Sequence, residues 1–181
     1  QGILKGMYLL SIGGRGKVRA NLLGSGTILR EVQAAAEILE RDYGVPADVF
    51  SVPSFGELRR DALDCERWNL LNPNEKPRVP YVAQCLAGHE GPFIAATDYM
   101  RTIPDQVRQW VPGDYLTLGT DGSGRSDARA ALRHPFEVHR RFIVLAALKA
   151  LVDDKKLDRK TLAKAMADLG IDASKPNPLN S

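Results

Sequence analysis

Residues 115–133 read YLTLGTDGSGRSDARAALR and set out a strand, a glycine turn and a helix start in close succession. Tyr115, Leu116 and Leu118 have the apolar character of a short buried strand. Gly119, Gly122 and Gly124 then fall among small polar residues, a glycine density that no helix or strand interior tolerates. Ser126 followed by Asp127 reads as an N-cap, and the Ala/Leu-rich run 128–132 as the first turns of a helix. N–H groups at such a helix start point back at the glycine loop. That is the geometry in which a strand end holds a phosphate or a partner's carboxylate. Strand, turn and helix in this order form the unit from which α/β folds are built.

The same unit recurs upstream. Leu22 and Leu23 run into GSGT at 24–27, and a helix follows with Ile28, Leu29, Val32, Ala35, Ala36 and Leu39 on one stripe. Gly44 suits its C-terminal cap, and Pro46 prevents continuation. Residues 48–52 form the next strand. Ser54 with Glu57 is a capping-box pair ahead of a helix that buries Leu58, Ala62, Cys65 and Leu70. The proline-rich segment 72–80 is a surface connection, and 81–86 is a short helical turn. Residues 93–96 are too apolar to face water on either side of a sheet. Pro104 then opens a helix that carries Val107, Trp110 and Val111 inward.

Beyond the glycine loop, 136–152 reads as a largely buried helix. Phe142, Leu145, Ala146 and Lys149 share a spacing, and Ile143, Val144, Leu148 and Leu151 broaden the apolar surface. A last helix over 158–169 turns Leu162, Ala163, Met166 and Leu169 inward and stops at Gly170. At the other end, GILKGMYLL reads as a strand, GGRG at 13–16 as a turn and KVRANLLG as the returning strand, an antiparallel hairpin at a sheet edge. The fold class is therefore α/β: a three-layer sandwich around a mostly parallel sheet of about five strands, with an antiparallel edge strand. Residues 1–170 form one domain and 171–181 a tail.

Composition excludes several classes. The chain of 181 residues is 44% apolar and 26% charged, ordinary for a globular domain, and no run approaches the roughly 20 apolar residues of a membrane span. The net charge of +3 is spread among acids, which does not suggest nucleic-acid binding. Cys65 and Cys85 make a thin disulfide framework and read as reduced thiols. With His89 they lack the spacing of a metal set, so no metal ligand is assigned. The chain starts at Gln1 without a leader-like segment and is expected to be a piece of something longer.

Each functional signal has a plainer counterpart. Gly24, Ser25 and Gly26 resemble a phosphate turn, yet they lack the lysine and spacing of a P-loop, and a strand-to-helix turn needs glycine anyway. Asp121, Gly122, Gly124, Arg125 and Ser126 offer an anion or interdomain contact, or else a self-capped loop with an Arg–Asp pair. His134 and His139 sit among Arg129, Arg133, Arg140 and Arg141, which favours a solvated face or a contact with an acidic neighbouring domain over acid–base chemistry. Ser25, Ser51 and Ser54 lie in no nucleophile elbow. Trp68, Tyr99 and Trp110 read as packing anchors.

GTDGSGRSDAR at 119–129, LLGSGTILREVQAAAEIL at 22–39, SVPSFGELRRDALDCERWN at 51–69 and ATDYMR at 96–101 carry a resemblance. Together they resemble the carboxy-terminal domain of the homodimeric, thiamine-dependent pyruvate dehydrogenase component, within the wider transketolase family of bacterial and other enzymes. The resemblance implies the three-layer carboxy-terminal fold of that family. It also implies an enzyme of the bacterial cytoplasm that decarboxylates pyruvate and reductively acetylates the lipoyl group of dihydrolipoyl acetyltransferase. Thiamine diphosphate and magnesium are then held by amino-terminal and middle domains, while the carboxy-terminal domain supports the dimer. No diphosphate motif of the family occurs in this sequence, so no catalytic or cofactor-binding residue is carried over and the fragment alone is expected to be inactive. The alternative is a stand-alone α/β protein that binds a phosphate or nucleotide at its glycine turns.

Overall fold

Adjacent apolar residues along the central strands part to opposite faces of a sheet, as the period of two requires. The computed structural model describes residues 2–121 and 137–175. After a single helical turn, α1 (Gly2–Lys5), come the strands β1 (Tyr8–Ser11), β2 (Ala20–Gly24), β3 (Ala47–Ser51), β4 (Phe93–Ala96) and β5 (Tyr115–Leu118). They lie in the order β1-β3-β2-β4-β5. β2, β3, β4 and β5 are mutually parallel, and β1 runs antiparallel on β3.

Helices cover both faces. Leu22, Val49, Ile94 and Ala96 meet Val32 and Leu39 of α2 (Leu29–Tyr43) and share that core with a carboxy-terminal helix pair described below. Leu23, Phe50, Ala95 and Tyr115 join the other core, closed by Phe55 and Leu58 of α3 (Phe55–Leu71) and by Val82 and Leu86 of α4 (Tyr81–Leu86). α5 (Thr102–Asp105) adds Ile103 at its margin. α6 (Arg140–Asp153) contributes Ile143, Val144, Ala147, Leu148 and Leu151 to the first core, and α7 (Arg159–Asp168) contributes Ala165. The result is the expected three-layer sandwich.

Local chemistry ends the helices where expected. Gly44 caps α2 at φ 64°, a left-handed conformation, and its N–H reaches Glu40 and Leu39 carbonyls. Ser54 Oγ accepts from the Glu57 N–H at 3.1 Å. The reciprocal half of the capping box is missing, because the Ser54 N–H goes to the Gly6 carbonyl and Glu57 turns to Arg60.

Other expectations are corrected. The amino-terminal hairpin does not form: residues 2–5 are helical, and β1 pairs with β3, not with β2. Both edges of β2 are filled by parallel strands, so the antiparallel strand is displaced to the outside of β3. Leu70 lies past the point where α3 leaves the core and is 79% exposed. On α6 the inward face is that of Ile143, Val144, Ala147 and Leu148; Lys149 points to solvent and pairs with Asp153. On α7 Ala165 is buried and Ala163 exposed. The helix begun at Pro104 breaks after Asp105 into a 3-10 turn at Arg108–Trp110, so Val107 is buried while Trp110 and Val111 are only half-buried.

Candidate functional site

The chain leaves β2 toward β3 on one side and returns to β4 on the other, so connections diverge at the carboxyl ends of β2 and β4. Such a switch point is where open α/β sheets place their ligand crevice. Three connections meet there: 24–28 after β2, 97–101 after β4, and 119–121 after β5.

Glycine makes the approach feasible. A Cβ on Gly24 would stand 2.9 Å from the Leu29 Cα, which lets α2 start directly against β2. Gly26 has φ +57°, and a Cβ there would lie 3.1 Å from an Asp98 carboxylate oxygen. A Cβ on Gly119 would fall 2.7 Å from both the Arg101 nitrogen and the Tyr99 carbonyl oxygen.

Asp98 binds the three connections together. Its carboxylate accepts from Thr27 Oγ1 at 3.0 Å, and its backbone carbonyl accepts from Thr120 Oγ1 at 2.8 Å. The Ser25 N–H reaches the Ala96 carbonyl at 3.2 Å, and the Thr120 N–H reaches the Tyr99 carbonyl at 2.9 Å. Asp121 accepts the Arg101 backbone N–H at 2.8 Å, with Arg101 Nε 3.7 Å from its second oxygen. Arg101 Nε is buried and, among the described residues, has no hydrogen bond.

The structure therefore gathers Gly24, Ser25, Gly26 and Asp121 at one mouth, although they are far apart in sequence. Asp121 pairs with Arg101 from the neighbouring loop. Gly122, Gly124, Arg125, Ser126 and His134 lie outside the described residues. The described mouth sets two carboxylates, Asp98 and Asp121, against one guanidinium, a balance that disfavours a phosphate. Tyr99 is not a packing anchor but stands 59% exposed beside Met100 at the rim.

Sequence reasoning missed Asp98 and Thr27. The available signal was an acid two residues past the end of a buried parallel strand. It also missed Glu31, a nearly buried side chain on α2 that accepts the Arg140 N–H at 3.1 Å and its guanidinium at 2.9 and 3.2 Å. That pair fixes the start of α6 on α2, while the Arg140 side chain stays 48% exposed. His139 caps α6, its Nδ1 accepting the Arg141 N–H at 3.2 Å.

A second polar cluster sits at the opposite end of the sheet. Asp48, buried near the start of β3, accepts from the Gly13 N–H at 3.0 Å, Arg19 Nη2 at 2.7 Å and His89 Nδ1 at 2.7 Å. The His89 ring also stands edge-on to Phe50, with centroids 4.9 Å apart. His89 is thus committed to Asp48, and no group of three His, Cys, Asp or Glu side chains able to hold a metal occurs among the described residues. Cys65 and Cys85 are free thiols. Burial and nearby Asp61 push the Cys65 thiol up, away from the reactive thiolate. No nucleophile accompanies the Asp48–His89 pair in the hydrogen bonds described, so the cluster ties segment 12–19, β3 and segment 87–92 together.

The geometry fits what comparison with known proteins finds. The family model of the transketolase-like TK C-terminal domain matches residues 6–139. The chain belongs to that family. Two relatives of this transketolase-like C-terminal domain are pyruvate dehydrogenase E1 components. That of Pseudomonas aeruginosa is 56% identical over 99% of this chain and 21% of its own length. That of Escherichia coli K12 is 55% identical over 98% of this chain and 20% of its own length. The chain spans about a fifth of the relatives it matches. Transketolase from Leishmania mexicana superposes with a TM-score of 0.55 at 16% identity, covering 84% of this chain and 19% of that one. A Pichia stipitis transketolase gives 0.54 at 19% identity, covering 83% and 18%. These likenesses show the transketolase C-terminal fold. No helix among the described residues is long and apolar enough to cross a membrane.

Proposed function

We infer that this chain is the carboxy-terminal domain of a pyruvate dehydrogenase E1 component and serves the longer enzyme as a supporting and contact domain. The observation that carries this reading is identity of 56% and 55% to such components across nearly the whole chain. Residues 1–170 form that domain and 171–181 its tail. The longer enzyme is a bacterial cytoplasmic homodimer that delivers its product to the lipoyl group of dihydrolipoyl acetyltransferase.

Thiamine diphosphate with magnesium supplies the decarboxylation chemistry of such an enzyme when bound. The described crevice does not fit the diphosphate: the Asp98 carboxylate lies against Gly26 and Thr27, where phosphate oxygens would need N–H donors. That mismatch supports assigning the cofactor to the upstream domains. In this division of labour the crevice, with Tyr99 and Met100 at its rim, is a contact between domains.

Pyruvate decarboxylation with thiamine diphosphate and magnesium tests the reading, comparing this chain with the same chain extended upstream through the missing domains. Activity is expected only in the extended polypeptide. Activity in the short chain would overturn the assignment and return attention to the crevice as a reaction site.

A further inference from the structure

The first residues of the chain expose an unusual run of aliphatic side chains. Ile3 is 66% exposed, Leu4 83%, Leu9 40%, Leu10 38% and Ile12 71%, and no residue of α1 is buried. Residues 6–14 carry no charged side chain at all. The stretch is nevertheless held in place. Met7 is fully buried, its carbonyl accepts from the Tyr81 hydroxyl at 3.1 Å, and the Gly6 carbonyl accepts the Ser54 N–H at 3.2 Å. Gly6 stands at φ +97°, and a Cβ there would lie 2.6 Å from the Ser54 carbonyl oxygen. The chain is thus pinned at Gly6 and Met7, with apolar side chains facing water on either side.

The two edges of the sheet are treated differently. At β5, Arg108 Nη1 occupies the Tyr115 carbonyl at 2.6 Å, and Asp105 takes the Thr117 hydroxyl at 3.0 Å, so side chains of the preceding segment guard that edge. β1 forms the opposite edge with no partner on its outer side among the described strands. An open edge flanked by aliphatic residues and lacking charge is a surface that proteins normally cover.

We propose that residues 3–12 are the surface on which the upstream part of the longer polypeptide packs. This rests on the reading of the chain as the carboxy-terminal fifth of such a polypeptide. The relatives are about five times as long as the matched stretch, and the matching family is a C-terminal domain. The rest of those proteins therefore precedes it, joined next to this surface. Covalent attachment a few residues away gives the upstream part an effective concentration that a second copy of this chain does not match. The other exposed aliphatics among the described residues, Leu63, Leu70 and Leu71 on α3, Val79 beyond it and Leu116 on β5, have no such junction beside them.

Amide hydrogen exchange tests the proposal, measured on the extended polypeptide and on this chain at several concentrations. Residues 3–12 are expected to exchange at least tenfold more slowly in the extended polypeptide, while 70–79 are unchanged. Leu4→Lys with Ile12→Lys in the extended polypeptide should restore the fast exchange. Equal exchange in both polypeptides would overturn the proposal. So would protection in the short chain that grows with its concentration, which would make a second copy the occupant. Pyruvate decarboxylation in the same samples reports separately on the enzymatic reading: an inactive polypeptide with protected residues 3–12 would refute that reading and leave the surface assigned.

Discussion

Replacing Asp48 with alanine removes the centre of the polar cluster at the amino edge of the sheet. The carboxylate is 7% exposed and Arg19 18%, so neither charge regains full hydration when the other is lost. Three donors lose their acceptor: the Gly13 N–H at 3.0 Å, Arg19 Nη2 at 2.7 Å and His89 Nδ1 at 2.7 Å. Breaking a buried ion pair from one side costs about 3–5 kcal/mol. Arg19 keeps the Gly14 carbonyl through Nη1, which places Asp48→Ala near the lower bound, about 3 kcal/mol. That is a large part of the roughly 5–15 kcal/mol holding a domain folded, and it lowers the melting temperature by about 6–12 °C. Urea unfolding followed by circular dichroism measures it, with the slope checked for constancy. In an Asp48→Ala, Arg19→Met double variant the loss should fall short of the sum of the single losses by at least about 1 kcal/mol, because the orphaned guanidinium is gone. A cost below about 1 kcal/mol for Asp48→Ala, or strict additivity, would refute the view of this cluster as a buried charge pair.

Gly119→Ala introduces a Cβ 2.7 Å from two backbone atoms of the 99–101 connection. It is expected to cost about 1–3 kcal/mol in urea unfolding and to speed exchange of the Thr120 amide, whereas an unchanged midpoint would show that the crevice loops yield freely. Asp154 titrates above the ordinary 3.8, first through its hydrogen bond with Asp114 and then through burial and the charge of Asp114, with Lys156 opposing. The folded state holds this proton more tightly than the unfolded state, so its contribution to stability is present at low pH and is lost as pH rises through the raised value. Asp154→Asn should therefore be more stable than the parent at pH 7, by up to about 1 kcal/mol, and the advantage should vanish below pH 3.8. A gain that persists or grows in acid would contradict the shared hydrogen bond.

Much of the architecture was legible because local chemistry and burial agree. β2, β3 and β4 are buried along their whole length, so apart from Asn21 and Asp48 each reads as an apolar or small-residue run with turn residues nearby. Gly44 and Ser54 could be assigned as caps because a left-handed φ and an N-cap acceptor are properties of one residue and its immediate neighbours. The hairpin failed because a glycine turn between two apolar stretches is equally compatible with strands that pair elsewhere. What separates the two outcomes is β3, which lies later in the chain and takes β1 on its free side. The face of α6 was misread because that helix is apolar nearly all round, and only contact with α2 and the sheet selects Ile143, Val144 and Leu148 over Phe142 and Leu145.

Of the candidate site, the glycines and Asp121 were readable and Asp98 was not. Gly24 and Gly26 announce a close approach of backbone whatever lies opposite, whereas the role of Asp98 depends on Thr27 and Thr120 arriving from connections 71 and 22 residues away. Asp48 joins Arg19 and His89 across separations of 29 and 41 residues. The sequence by itself determined the strand and helix alternation, the turn positions and the family resemblance, since these depend on short-range sterics and on the order of residue types. The tertiary structure decided the strand order, which end of the sheet gathers Asp98, Arg101 and Asp121, and which apolar residues remain in water. Those outcomes follow from pairing and packing between distant segments, whose free energy is counted only after the chain has closed on itself.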